Sequence, residues 1–443
     1  MKVPGGLAAM RRTFTIANYR YYVIGNWAST IGLWVQRVAI GWVTWELTHS
    51  TAWLGAMALA ESGPTIFFAL FAGTLIDRID YLKLLRVTQF CTMLYSISLA
   101  LCTFTDVMTV WIMFGLTIIR GIIVAFSRPS RMTVVYNLVG RELLPSALGM
   151  NSLIFNTSRF IGPAIGGAML VAVGAAWTFT LGAVLFGVFS VSLRLIHFPK
   201  SEGPAKGESA AAPGAPARRS MLLETWEGLQ YIARHDGIRP QLMLLVVTSV
   251  LAKPFTDLLP GIAAQLFDSG PHGLAMLLSA HGIGAMIASL WLASRGGLKG
   301  LTTVTLVSII IFSLGLVAFA VNGIFWLACV LSGLLGFAFI TQSVSNQTLI
   351  QSAVNPSFRG RVISVYGMVQ QGMPSVGAFV IGLIAEQSGL RWPVAIGAAI
   401  CLVVGLRGWQ IRRQLATALE TDEGVPSQRV EQPARSVEKD PTR

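Results

Sequence analysis

Six ionisable side chains stand inside long apolar stretches of this 443-residue chain: Arg37, Glu61, Arg120, Arg159, Lys253 and Asp257. A charge within a bilayer is costly, so such residues mark substrate paths, proton relays or internal ion pairs. With a rise of about 1.5 Å per residue, Arg37 and Glu61 each fall roughly three residues outward of the middle of their stretches. They are expected to meet at similar depth, either as a pair that opens with a proton or as a permanent bridge between two helices. Lys253 and Asp257, four apart, share one helical face between Pro254 and Pro260. Those prolines leave carbonyls unpaired and permit a kink, which suits a cavity wall, although an internal bridge fits the same spacing. The surplus of positive charge suits an anionic substrate such as a carboxylate, catecholate or phosphate-bearing amphiphile. Asn151, Asn156, Gln342, Asn346 and Gln370 would present amides either to a cavity or to neighbouring helices. His281 reads as a hydrogen-bonded packing residue in preference to a proton carrier.

The elements that must position these groups are membrane helices. The chain is 53% hydrophobic and 12% charged, with 45 Gly and a mean hydropathy of +0.64; a soluble protein spends about a quarter of its residues on charge. The apolar content recurs as twelve stretches of bilayer-spanning length, at about 21–47, 53–76, 84–105, 109–130, 147–172, 176–196, 241–266, 273–294, 301–320, 323–350, 361–386 and 391–411. An all-α polytopic membrane protein is expected, with no cleavable signal peptide behind Arg11 and Arg12. The net charge is +13, and nearly all the Lys and Arg fall in the termini and the loops after even-numbered stretches. The opposite loops hold only Arg391. That asymmetry predicts both termini in the cytoplasm and makes nucleic acid the weaker explanation of the basic balance. Cys91, Cys102, Cys329 and Cys401 lack metal-ligand spacing and read as packing residues.

Between the sixth and seventh stretches, Ser201–Ser220 is rich in Pro, Gly, Ala and charge and reads as a flexible linker. The following MLLETWEGLQYIAR places Leu222, Trp226, Leu229 and Ala233 on one face, with Glu224 and Glu227 away from it, as an amphipathic helix on the inner membrane surface stopped by Gly237 and Pro240. The expected organisation is a cytoplasmic N-terminus (1–20), a six-helix bundle (21–197), a linker with its amphipathic helix (198–239), a second six-helix bundle (240–413) and a polar, disordered tail (414–443). The halves resemble each other: GPAIGG, Gly162 to Gly167, aligns with MPSVGA, Met373 to Ala378, matching Pro163 and Gly166 to Pro374 and Gly377. Parallel repeats imply a pseudo-two-fold axis along the membrane normal and a site between the halves. Gly162, Pro163, Gly166 and Gly167 would let their helix approach a neighbour closely.

Behind the second stretch lies GTLIDRIDYLK. With its Gly73, Asp77, Arg78 and Lys83 the chain resembles the major facilitator superfamily, whose corresponding loop carries a glycine, Asp-Arg and further basic residues; Asp80 and Tyr81 stand where the commonest pattern has Gly and Arg. The resemblance implies twelve helices in two pseudo-symmetric six-helix bundles, and a cytoplasmic gate at Gly73, Asp77, Arg78 and Lys83. The alternative is that the basic residues are topogenic charges at the inner leaflet. RFIGPAIGG is similar to the Gly-Pro-rich motif of the superfamily's antiporters, and Arg120-Gly121 resembles its fourth-helix arginine without the glycine spacing that usually follows. TIGLWVQRVAIGW, RPSR and FRGRVISVYG are similar to the bacterial exporters that include the enterobactin exporter and transmembrane secretion effectors.

No phosphate-binding loop, metal cluster or nucleophile motif accompanies these features, so neither an enzyme nor a cofactor is expected. The reading is a monomeric secondary transporter of the bacterial inner membrane, exporting a small organic compound (a siderophore, drug or other amphiphile) in exchange for protons. An importer or lysolipid flippase on the same fold, or a receptor or assembly subunit that carries nothing, remain the alternatives.

Overall fold

The computed structural model describes residues 12–76, 80–196 and 221–420, and among them there is no strand. The helices are α1 (Ala17–Thr48), α2 (Thr51–Ile76), α3 (Tyr81–Phe104), α4 (Val110–Leu195), α5 (Met221–Arg234), α6 (Ile238–Leu251), α7 (Phe255–Phe267), α8 (Pro271–Arg295), α9 (Leu301–Val321), α10 (Phe325–Ala353), α11 (Arg359–Ser388), α12 (Arg391–Gln410) and α13 (Arg412–Leu419). Nine helices among the described residues are long and apolar enough to cross a membrane; α1 and α2 are not among them, and one of the nine is the 54-residue run Glu142–Leu195.

The 86-residue α4 is three legs joined at Gly140 (φ 70°) and Gly174 (φ 86°). A left-handed backbone at those two points is open to glycine at little cost, which is why the chain turns there. The leg 141–173 runs parallel to α1: Gly162 meets Trp34, and Gly166 meets Val35. The leg 175–195 runs antiparallel to α1, with Gly25 against Phe189 and Gly32 against Leu185.

The repeated motif makes the same contacts in each half. Gly166 lies against the Val35 carbonyl of α1, and Gly377 against the Val250 carbonyl of α6. Next to these, Gly167 meets Ala275 of α8, while the Ala378 carbonyl receives Gly55 of α2. One edge of the motif therefore packs within its half and the other forms a seam to the opposite half. Backbone-to-backbone approach of this kind needs residues without a side chain. In the second half, Gly284 faces the Gly333 carbonyl and Gly336 the His281 carbonyl, joining α8 to α10. Gly336→Ala should therefore lower the thermal unfolding midpoint, by an overpacking cost of about 1–3 kcal/mol. Gly323→Ala, at a position where an added Cβ meets nothing within 4 Å, should leave it unchanged.

Two expectations about the connecting segments change. The amphipathic helix forms as α5, leaving Trp226, Leu229 and Ala233 exposed, but its other face grips the start of α11. Glu227 bridges Arg361 at 2.7 Å, Tyr231 stacks on Phe358 at 4.7 Å, and Ile232 is buried. Pro240 does not stop this helix; it sits in the first turn of α6, where its missing N–H costs nothing. At that corner His235 Nδ1 accepts the N–H groups of Gly237 and Ile238, and burial pushes its imidazole below the usual range.

At the other end, the chain stays helical past Gln414 through Leu419. Leu415 and Leu419, four apart, are buried, and the Glu420 carboxylate accepts the N–H groups of Gly300 and Thr302 at 2.7 Å, capping α9. A stretch expected as disordered tail thus serves as a structural tie.

Candidate functional site

Two helix pairs decide the electrostatics of the site, one between the halves and one within the first half. Gly41 of α1 lies against Pro260 of α7, and this close approach lets Arg37 reach across to Asp257, Nη2 to Oδ1, at 2.5 Å. In the first half, Gly121 of α4 lies against the Glu61 and Ala60 carbonyls of α2, and Arg120 bridges Glu61. The expected Arg37–Glu61 pair is therefore replaced by two others. The reason is that a glycine beside or one turn from each arginine fixes which helix it approaches.

A cavity of about 830 Å³ lies between the halves, walled by Arg37, Glu61 and Arg159 on one side and by Lys253, Asp257 and Phe339 on the other. Lys253 occupies the break between α6 and α7 at residues 252–254. Its Nζ donates to Gln370 Oε1 at 2.7 Å, and Gln370 is itself held by Ser343 Oγ at 2.9 Å. Arg159 stacks on Trp34 and Phe339 at 5.6 and 5.3 Å.

The lining continues to Arg128, Ser357 and Gly360, which are exposed and form the mouth. The opposite end is shut. There Glu386 Oε2 of α11 accepts hydrogen bonds from Ser50 Oγ (2.9 Å), Thr51 Oγ1 (3.2 Å) and the Ala52 N–H (3.1 Å), capping α2 from the other half. Gly55 packs against Ala378 and Phe379, and Gly382 against Thr51 and Ala52. A negative side chain at a helix N-terminus is stabilising, so this cap joins the halves at that end.

A two-bundle helical protein with a charged cavity closed at one end has close counterparts. Residues 8–443 match the family of transmembrane secretion effectors. The chain belongs to that family. It is thereby a membrane transporter of the major facilitator type, not an enzyme. The staphyloferrin A transporter of Staphylococcus aureus is 23% identical over 90% of this chain and 98% of its own length. Macrolide efflux protein A of Streptococcus pyogenes is 23% identical over 87% and 94%, and the enterobactin exporter EntS of Citrobacter koseri 22% over 82% and 84%. The fold is that of the nucleoside transporter NupG, at a TM-score of 0.66 and 14% identity over 89% of this chain and 99% of that one.

Within this secretion effector, the cavity gathers Arg37, Glu61, Arg159, Lys253 and Asp257, but not every polar residue singled out in the sequence. Arg120 is 4% exposed and committed to Glu61, outside the lining. Asn151 accepts from the Asn26 amide beside a smaller pocket that shares Arg128 and Pro129 with the cavity. Asn156 donates to the Ser152 carbonyl one turn back. Gln342 donates to Thr248 Oγ1 at 3.0 Å; Asn346 is buried outside the lining, and its Oδ1 has no hydrogen-bond partner among the described residues. His281 packs between Phe255 and Phe339, and neither ring nitrogen has a hydrogen-bond partner among the described residues.

Asp77 and Arg78 of the expected gate lie outside the described residues, as do the surroundings of Gly73. Lys83 is exposed. Asp80, which departs from the family pattern, is the N-cap of α3, its Oδ1 accepting the N–H groups of Leu82 and Lys83 at 2.8 and 3.1 Å. Phe339 and Glu386 were missed. A phenylalanine in an apolar run and an acid in a helix's last turn carry no local signal.

Proposed function

We propose that this protein exports a small organic compound across the bacterial inner membrane by alternating access, in exchange for protons. The observation that carries this reading is the Arg37–Asp257 pair, because it joins the halves and stands on the wall of the cavity. The Arg37 side chain is 43% exposed and that of Asp257 14%, so the pair is within reach of solute and water. Its two partners give it two keys. An anionic group competes for Arg37, and a proton neutralises Asp257; either weakens the same lock and lets the bundles rock. The mouth carries Arg128 and Arg361, and basic loops lie on the cytoplasmic side, so this conformation faces inward with both termini in the cytoplasm. The curated relatives named above supply the direction and the class of cargo, siderophores and drugs.

Inverted membrane vesicles acidified by their own proton pumps test this reading. Addition of enterobactin, staphyloferrin A or a macrolide should dissipate the gradient only when the protein is present, with the compound accumulating inside. Accumulation in right-side-out vesicles driven by external acid would make the protein an importer.

A further inference from the structure

We infer that Arg159 and Lys253 form a two-cation subsite, one cation from each bundle, for an oxyanion on a flat ligand seated at Phe339. This rests on the reading of the cavity as the substrate site and specifies which part of it selects.

The other deep charges of the cavity are neutralised: Arg37 by Asp257 and Glu61 by Arg120. Arg159 and Lys253 have no carboxylate partner among the described residues, although they are only 9% and 2% exposed. The Lys253 ammonium makes one hydrogen bond, to a neutral amide. The Arg159 guanidinium, with five N–H donors, makes no hydrogen bond among the described residues and rests on two rings. Cation–π contacts offset only a small part of what burying a charge costs, and two like charges in one cavity add to that cost. A counter-charge brought by a ligand removes both penalties.

The aromatic placement says what else that ligand carries. Phe339 has the Arg159 guanidinium 5.3 Å and the Lys253 ammonium 5.5 Å from its centroid, so an oxyanion bridging the two cations lies beside this ring, where a flat apolar body on the same ligand packs. Lys253 also stands at the N-terminal, positive end of the 13-residue α7, because the chain breaks at 252–254. The cavity, at about 830 Å³, has the volume of a drug-sized site.

Equilibrium calorimetry on the protein in nanodiscs tests this with three probes sharing one ring: 2-naphthoate, 2-naphthalenemethanol and protonated 2-naphthylmethylamine. The carboxylate should bind about tenfold or more tightly than the alcohol, the amine more weakly than either, and added salt should weaken the carboxylate alone. Arg159→Gln and Lys253→Gln should each raise the naphthoate Kd about tenfold with the alcohol unaffected, while Arg159→Lys should retain most of the preference. An amine that binds as tightly as the carboxylate, absence of naphthoate binding, or folded glutamine variants with unchanged Kd would overturn the subsite. The probe series reads the wild-type chain, so it stands even where a variant fails to fold. The subsite and the transport reading also fail separately. Charge-selective binding by a protein that moves nothing removes transport alone; gradient-driven export without charge selectivity removes the subsite alone.

Discussion

Asp257→Asn should abolish proton-driven accumulation in proteoliposomes, by about a hundredfold or more, while exchange of substrate for substrate continues. The carboxylate is the only part of the Arg37 lock that a proton can switch, and an amide at this position leaves nothing to titrate. The bundles then rock whether or not a proton is present, so a gradient performs no work on the substrate. Some stability is lost as well, because Arg37 is left without its partner. Its 43% exposure lets water compensate, which holds that loss to about 1 kcal/mol.

Glu61→Gln should behave differently. It strands Arg120, whose side chain is 5% exposed. Breaking a buried pair costs roughly 3–5 kcal/mol, and the 34% exposure of Glu61 reduces this to about 2–3 kcal/mol. The expected pattern is a lower melting temperature with coupling intact in Glu61→Gln, and the reverse in Asp257→Asn. Equal loss of coupling in both would show that the two ion pairs act as one relay.

Glu386→Gln together with Gly55→Val should open the end of the molecule that is shut here. The glutamine replaces a carboxylate that accepts three hydrogen bonds at the start of α2. For an exposed cap that is worth about 1 kcal/mol, or roughly a fivefold change in the ratio of the two states. The valine adds a side chain where a Cβ would already lie 2.6 Å from the Phe379 Cα, a clash that exists only while this end is closed. Spin labels at exposed Leu47 and Gln387, with the four native cysteines replaced, should show a longer distance distribution in the double variant. An unchanged distribution would mean that the end is held by the buried side chains of Trp45, Leu54 and Leu390, which meet around Gly261 of α7, and not by the cap.

What the chain reveals by itself follows from the range of the physics involved. Hydropathy and glycine spacing are local, so most of the long apolar helices, the break beside Lys253 and the repeat around Gly166 and Gly377 are legible. Partner choice is not local. Arg37 and Glu61 sit at matching depth, yet depth says nothing about which helix face lies opposite. Gly41 and Gly121 settle that question, and their meaning emerges only once the packing is known. The amides Asn156 and Gln342 show the same limit, since a polar side chain in a membrane helix fits a packing hydrogen bond as well as a cavity. Asp80 and Leu415 carry local signals: an aspartate directly before a helix is a cap, and Leu415 with Leu419 is one apolar face.

The lock itself is tested most directly by following the two conformations against pH, with the Leu47–Gln387 label pair in liposomes and no substrate present. In the wild-type background, acidification from neutral to mildly acid pH should move the distance distribution from the closed form toward the open one. In Asp257→Asn the distribution should be the same at every pH. A pH-dependent shift that persists in Asp257→Asn, or a wild-type distribution that does not move, would contradict the Arg37–Asp257 pair as the point where protons act.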